Sequence, residues 1–171
     1  MEAKAAREVQ YRRMVLEDVP QVHAIDTASF SLPWPESSFR YELTENKASR
    51  CWVADATGTN GEKQIVGMLC LWLIIDEAHI GTIAVHPDFR HVGIGKRLLA
   101  TALLEAHHEG VRQVYLEVRR GNVNAQKMYR QFGFEVTNVR PRYYSDNGED
   151  ALLMTLVAIV PGELERLRKE P

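Results

Sequence analysis

The sequence predicts an α/β (α+β) fold, a mixed, mostly antiparallel sheet flanked by helices, and three observations carry this expectation. Apolar runs at residues 52–56, 64–75 and 78–85 follow one another with only short turn signals between them, Gly58 with Asn60-Gly61 and then Asp76-Glu77. Strands joined that closely pair antiparallel. The third run leads through His86-Pro87-Asp88 and a glycine-bearing loop into a stretch of helical apolar spacing at Leu98, Leu99, Ala102, Leu103 and Ala106. A second strand-to-helix step follows at 114–132, and two further apolar runs flank Asp146-Asn147-Gly148, a hairpin signal.

Element by element, residues 1–8 are rich in Ala, Lys and Glu and read as a flexible N-terminus. One domain is expected over 9–158, followed by a charged tail over 159–171. Residues 11–14 suit a first strand. Glu17-Asp18 then opens a helix with Val19, Val22, Ile25 and Ala28 at inward spacing. Pro33 and Pro35 stop it, and a short helix over 35–43 follows with Phe39 and Leu43 on one face. The helix begun at Gly93 runs to His108 and ends at Gly110. In the strand over 114–118, Leu116 and its even-numbered neighbours face one side, Tyr115 and Glu117 the other. The helix over 123–132 is capped by Asn122 and closed by Gly133. Strands over 134–144 and 151–157 complete the sheet. After Pro161 the tail places Leu164 and Leu167 on one face of what reads as a solvated terminal helix.

Bulk properties exclude several classes. A chain of 171 residues is one domain with a full core. Its 45% hydrophobic and 26% charged residues are those of a soluble globule, and a formal charge of -2 gives no general reason for direct nucleic-acid binding. Cys51 and Cys70 sit in apolar runs and read as buried thiols in a reducing compartment. No run is long enough for a membrane span and no signal-peptide core opens the chain, so no membrane partner and a cytoplasmic location are expected. His107 and His108 are adjacent and point about 100° apart on a helix, so they read as C-terminal helix residues and no metal site is expected.

Residues 83–99 order the rest. In Arg90-His91-Val92-Gly93-Ile94-Gly95-Lys96, two glycines precede a helix whose first amides stand open to an anion. A Walker loop fails because Arg90 and Arg97 occupy its glycine and hydroxyl positions. A dinucleotide fingerprint fails because Leu98 replaces its third glycine, although Glu117 imitates that fingerprint's ribose-binding acid.

Arg-x-x-Gly-x-Gly after a strand resembles the pyrophosphate loop of the GCN5-related N-acetyltransferases (GNAT), which use acetyl-coenzyme A. Leu116-Glu117-Val118-Arg119, Asn122, Ala125, Tyr129 and Phe132-Gly133-Phe134 resemble the rest of that family's core. Phe30 to Trp34 and Tyr143 to Ala151 are similar to the protein N-terminal acetyltransferases, most of all the bacterial RimI type, which acetylates the N-terminal alanine of small-subunit ribosomal protein eighteen. The resemblance spans about 12–156.

It implies a splay between the two central strands, with Ile83, Ala84, Val85, Arg90, His91, Val92, Gly93, Ile94, Gly95, Lys96 and Asn122 binding acetyl-CoA and coenzyme A as product. It implies Glu117 as the base that takes the amine proton and Tyr129 as the acid near the cofactor sulfur. Pro33, Trp34, Tyr143 and Tyr144 would border the acceptor, with Glu149 or Asp150 favouring its cationic end. Each has a purely structural reading beside this: Trp34 as a plug between helices, Glu117 as an exposed charge paired with Arg119 or Arg112, Tyr129 as a packed aromatic, and the tyrosine pair as cross-strand packing.

The acceptor implied is a protein N-terminus. An α-amine near pKa 7.7–8.0 costs only about 1–1.4 kcal/mol to neutralise at pH 7, a lysine near 10.4 roughly 4.6 kcal/mol. A lysine, polyamine or other small amine stays open as acceptor, as does a non-catalytic acyl-CoA binding module. The oligomeric state stays open between monomer and weak dimer.

Overall fold

The structure, a computed structural model, describes residues 8–170. The N-terminal expectation over 1–7 lies outside them, while Glu8 already belongs to the first strand. In chain order the elements are β1 (Glu8–Arg13), α1 (Val19–Ser29), α2 (Glu36–Thr44), β2 (Ser49–Thr57), β3 (Lys63–Ile74), β4 (Glu77–Val85), α3 (Ile94–His108), β5 (Gln113–Arg119), α4 (Val123–Gln131), β6 (Glu135–Arg140), β7 (Ala151–Leu156) and α5 (Pro161–Lys169). Short 3-10 turns at Leu16–Asp18 and Pro87–Phe89 lead into α1 and the glycine loop.

The seven strands form one sheet in the order β1-β2-β3-β4-β5-β7-β6. The β1 to β4 meander is antiparallel throughout, as the short turns require. Among the described strands only β4 and β5 pair in parallel, joined by the α3 crossover. Their pairing stops at Ile80 with Leu116, although β4 runs on to Val85 and β5 to Arg119. The two strands therefore fork, which is the expected splay.

Gly81 stands at the branch point. Leu71 pairs Ile80 and Cys70 pairs Thr82, so Gly81 is left over as a bulge. The bulge reverses which side each residue faces. Ala78 and Ile80 join the core under α3 and α5, whereas Ala84 joins the core under α1 and α2. On one side Leu98, Leu99 and Leu103 pack on Leu69, Leu116 and Met154; on the other Val22, Ile25 and Phe39 pack on Val53 and Met68. At roughly 1.5–3 kcal/mol for each large apolar side chain buried, these two layers stabilise the sheet on both sides of the fork.

Three expectations are corrected. Ala28 is exposed and the buried position beside it is Asp26, a carboxylate with partners of its own. The strand expected over 134–144 stops at Arg140, because Pro141 has no N–H for the ladder and Arg142 takes a positive φ of 51°. Residues 141–150 consequently form a folded loop in place of a tight hairpin. The terminal helix is not solvated: Leu164 and Leu167, spaced for one face, are 2% and 1% exposed against the α3 side of the core.

No helix among the described residues is long and apolar enough to cross a membrane. Cys51 and Cys70 are free, buried and directly opposed on β2 and β3.

Candidate active site

The fork opens into a cleft of about 1060 Å³. Of the residues nominated from sequence, Trp34, Ile83, Ala84, Val85, Arg90, His91, Gly93, Ile94, Gly95, Lys96, Glu117, Asn122, Tyr129 and Tyr144 line it. Pro33, Val92 and Tyr143 do not. Pro33 is exposed in the α1–α2 loop. Val92 turns its side chain to solvent, and its carbonyl accepts from Arg97 Nη2 at 3.1 Å. Tyr143 is half exposed, edge-on to Tyr144 with ring centroids 5.2 Å apart.

One wall is made of backbone. Gly93 caps α3 at φ 82°, a left-handed conformation that costs a side-chain-bearing residue about 1–2 kcal/mol. The helical ladder begins only where Arg97 N–H donates to Gly93 O at 3.1 Å. The amides of Ile94, Gly95 and Lys96 thus lead the helix with its positive dipole end.

Two nominated cations are engaged within the chain. Arg90 donates from Nε to Val85 O at 2.9 Å and from Nη2 to Ser29 Oγ at 3.0 Å, tying the loop to β4 and α1. Lys96 Nζ reaches Glu170 Oε2 at 3.3 Å, at the end of α5.

The facing wall is made of side chains. Glu117 is the first β5 residue past the last paired position, with its side chain only 12% exposed. His79 on β4 lies 2.6 Å from it, Nε2 to Oε2, and Arg140 on β6 lies 3.6 Å from Oε1. An anionic carboxylate accepts, so the imidazole N–H donates. This bond, first among the causes, holds Glu117 below the ordinary glutamate value. Sequence reasoning missed His79 and named Arg119 or Arg112 as the structural partner. His79 and Glu117 lie on separate strands, and no local spacing links them.

Arg119 instead organises the 141–150 loop. Its guanidinium donates to Asp146 at 2.8 and 3.1 Å and to Glu149 at 3.3 Å, and lies 3.9 Å from the centre of the Tyr144 ring. Asp146 also accepts from Ser31 Oγ in the α1–α2 loop, so one carboxylate joins the two loops that border the cleft. Glu149 Oε2 accepts from Gly121 N–H at 2.6 Å.

Tyr129 is buried on α4, its ring 5.8 Å from that of Phe134. Burial, with Tyr144 nearby, raises its phenol well above the ordinary value, so it stays protonated. Tyr144 is pushed up to about 12, mainly by burial. Asn122 caps α4, accepting from Ala125 N–H at 3.2 Å. Asp26, fully buried, accepts from Trp34 N–H at 2.7 Å and from Thr82 Oγ1 at 3.4 Å, fixing the α1–α2 loop to β4. Among the described residues no group of three or more His, Cys, Asp or Glu could hold a metal ion.

The open amides at the start of α3 and the partly buried Glu117 carboxylate thus line one cleft in a forked sheet. The chain belongs to the Acetyltransferase (GNAT) family, whose sequence profile matches residues 19–134; it is an acetyltransferase. It is 37% identical over 154 residues to a Bacillus subtilis (strain 168) protein provisionally named a ribosomal protein bS18-alanine N-acetyltransferase, covering 90% of this chain and 96% of that one.

The Escherichia coli (strain K12) protein named ribosomal protein bS18-alanine N-acetyltransferase is 32% identical over 141 residues, covering 81% and 90%. The crystal structure of the Escherichia coli ribosomal-protein-S18-alanine N-acetyltransferase superposes with a TM-score of 0.77 at 27% identity, covering 90% and 96%. Arabidopsis thaliana NAA60, solved with acetyl-CoA, shares the fold at a TM-score of 0.76 and 16% identity, covering 87% and 98%.

Proposed function

We propose that this acetyltransferase moves an acetyl group from acetyl-CoA to the α-amine of a protein N-terminus, an alanine of ribosomal protein bS18, in the cytoplasm. The observation that carries the reading is the position of Glu117, partly buried at the apex of the fork between an anion-ready helix terminus and the two loops joined at Asp146. The names of the Bacillus subtilis and Escherichia coli relatives support the acceptor.

The chain fits the coenzyme. The left-handed Gly93, the leading amides of α3 and the unpaired side of β4 from Gly81 to Val85 supply main-chain donors along a cleft large enough for an extended ligand. Ile83, Ala84 and Val85 would hold the pantetheine arm and acyl carbonyl, residues 90–96 the pyrophosphate, and Asn122 the arm near its sulfur. Bound there, acetyl-CoA supplies an activated thioester.

The chain's own residues handle protons. Glu117, kept ionised by His79, takes the proton that the α-amine sheds as its nitrogen bonds to the acyl carbon. That amine titrates near 7.7–8.0, so presenting it neutral at pH 7 costs only about 1–1.4 kcal/mol. The Tyr129 phenol donates a hydrogen bond toward the departing sulfur, and burial holds its proton in place for that role. Tyr144, pinned under Arg119, borders the acceptor backbone.

Mass spectrometry on peptides beginning with Ala, with free or blocked α-amines, tests the reading. Acetylation only of the free α-amine is expected. Acetylation that survives blocking would replace it with a lysine- or polyamine-directed enzyme, and binding of acetyl-CoA without transfer to any amine would replace it with an acyl-CoA binding module.

A further inference from the structure

We propose that Trp72, which does not itself line the cleft, sets the depth of the pocket for the acceptor's first side chain by acting through Trp34. The inference rests on the α-amino reading above and adds a specificity-determining residue to it.

Gly81 and Glu117 are the first residues of β4 and β5 beyond the last pair between those strands, and both line the cleft. An amine within reach of Glu117 therefore carries its own side chain into the neighbourhood of Gly81. That neighbourhood is roofed by two indoles. A Cβ on Gly81 would lie 2.8 Å from Cη2 of Trp72 and 3.2 Å from Cη2 of Trp34. The first distance is closer than real Cβ atoms come to another heavy atom, and the second is tighter than most. The bare backbone at the bulge is what lets the rings sit there.

The rings are stacked, 8° from parallel with centroids 6.0 Å apart, and each is fixed from behind. The Trp34 backbone is held by its amide N–H, which donates to Asp26 Oδ2 at 2.7 Å, and its ring packs on Phe39 with ring centroids 5.3 Å apart. Trp72 donates from Nε1 to Glu42 Oε2 at 2.8 Å, and its ring meets His79 edge-on with centroids 5.7 Å apart. Trp34, which lines the cleft, has the Trp72 ring stacked behind it. A methyl or hydroxymethyl first side chain fits under a wall that cannot move, and a branched or long one does not. Packing of this kind discriminates by about 10–200-fold for a small difference in apolar size.

Removing the rear ring opens the space behind Trp34 and leaves Tyr129 and the glycine loop untouched; the loss of its edge contact with His79 bears on every first residue alike and cancels in the ratio read below. The test compares wild type, Trp72→Val and Trp72→Phe on peptides that differ only in a first residue of Ala, Ser, Leu or Met, each with an α-blocked control. The expected result is a fall of about tenfold or more in the Ala-over-Leu ratio of kcat/KM for Trp72→Val, with a smaller fall for Trp72→Phe. Thermal melts identify a variant that does not fold, and Trp72→Phe, which keeps a ring in the layer, then carries the comparison. Selectivity unchanged in folded variants would overturn the depth-setting role while leaving α-acetylation by the wild type intact. Acetylation of lysine side chains alone by the wild type would overturn both.

Discussion

The two walls of the fork are built in different ways. The glycine-loop wall comes from one contiguous stretch, Val85 to Arg97, and its donors are main-chain amides fixed by a left-handed Gly93 and the start of α3. The facing wall, on the acceptor side, is assembled from side chains on unconnected elements, Trp34 on a loop, Glu117 and Arg119 on β5 and Tyr144 on a second loop, backed by Trp72 on β3 and His79 on β4. A main-chain wall should tolerate side-chain changes and fail with backbone strain. A side-chain wall should fail one residue at a time. The largest expected effect follows: Glu117→Gln lowers kcat by about 10²–10⁴-fold, the usual contribution of a positioned base. Coenzyme affinity by titration calorimetry should stay within twofold of wild type, roughly the additivity limit for a distant site. Equal losses in both would erase the distinction between the walls.

His79 sharpens the contrast next, because it acts on the acceptor wall only through Glu117. His79→Ala should cost roughly tenfold to a hundredfold in kcat through misplacement of the carboxylate, and His79→Gln, which keeps an N–H near the Nε2 position, should recover most of it. The pH profile separates orientation from general damage. His79 is the largest cause of the lowered Glu117 value. In the wild type the acid limb due to Glu117 therefore lies below the ordinary glutamate range. Activity climbs with pH chiefly as the acceptor amine loses its proton, up to about 7.7–8.0. In His79→Ala the limb from Glu117 moves upward. An unmoved limb alongside lost activity would assign His79 to folding alone.

The same contrast explains how much could be read in advance. The meander, the crossover through α3 and the anion-ready terminus all follow from patterns within about twenty residues, the range over which turn chemistry and helical spacing operate. Gly93 and Asn122 have local causes and were legible. His79, Trp72 and the Arg119–Asp146–Ser31 junction have none: Ser31 and Asp146 meet only because the fork brings the α1–α2 and β6–β7 loops to one rim. The terminal helix misled for a related reason. Its apolar face was visible at Leu164 and Leu167, but the surface of α3 that receives it is a product of the fold, and a charged composition is what a helix with one buried stripe shows in any case.

On the glycine-loop wall the expected effects are smaller and fall on binding. Gly93→Ala places a Cβ at φ 82°, a strain of about 1–2 kcal/mol. Coenzyme affinity should fall about 5–30-fold by that strain if the loop relaxes out of its cradle. Catalytic rate at saturating coenzyme should change little, since Glu117 and Tyr129 lie on other elements. Calorimetry and steady-state kinetics together check this, and a kcat loss as large as that of Glu117→Gln would mean the loop also aims the reacting group.

The smallest effect tests whether the rim of the acceptor wall is a joint or only a surface contact. Ser31→Ala removes the link from the α1–α2 loop to Asp146 but leaves Arg119 on Asp146 at 2.8 Å and on Glu149 at 3.3 Å. The contact is exposed, and exposed polar pairs contribute about 0–1 kcal/mol, so the acceptor KM should rise by no more than about fivefold. Coenzyme affinity should not change, because nothing on the glycine-loop wall touches Ser31 except through Ser29 and Arg90, two residues away. Asp146→Ala should act more strongly on the same parameter. It removes Arg119's closest partner and also the acceptor for Asn147 N–H at 2.9 Å, so the loop holding Tyr144 keeps its backbone turn but loses its main tie to Arg119. If Ser31→Ala proves as damaging as Asp146→Ala, the two loops behave as one lid. If it is silent, the rim is held from the β5 side, by Arg119 on Asp146 and by Gly121 N–H on Glu149.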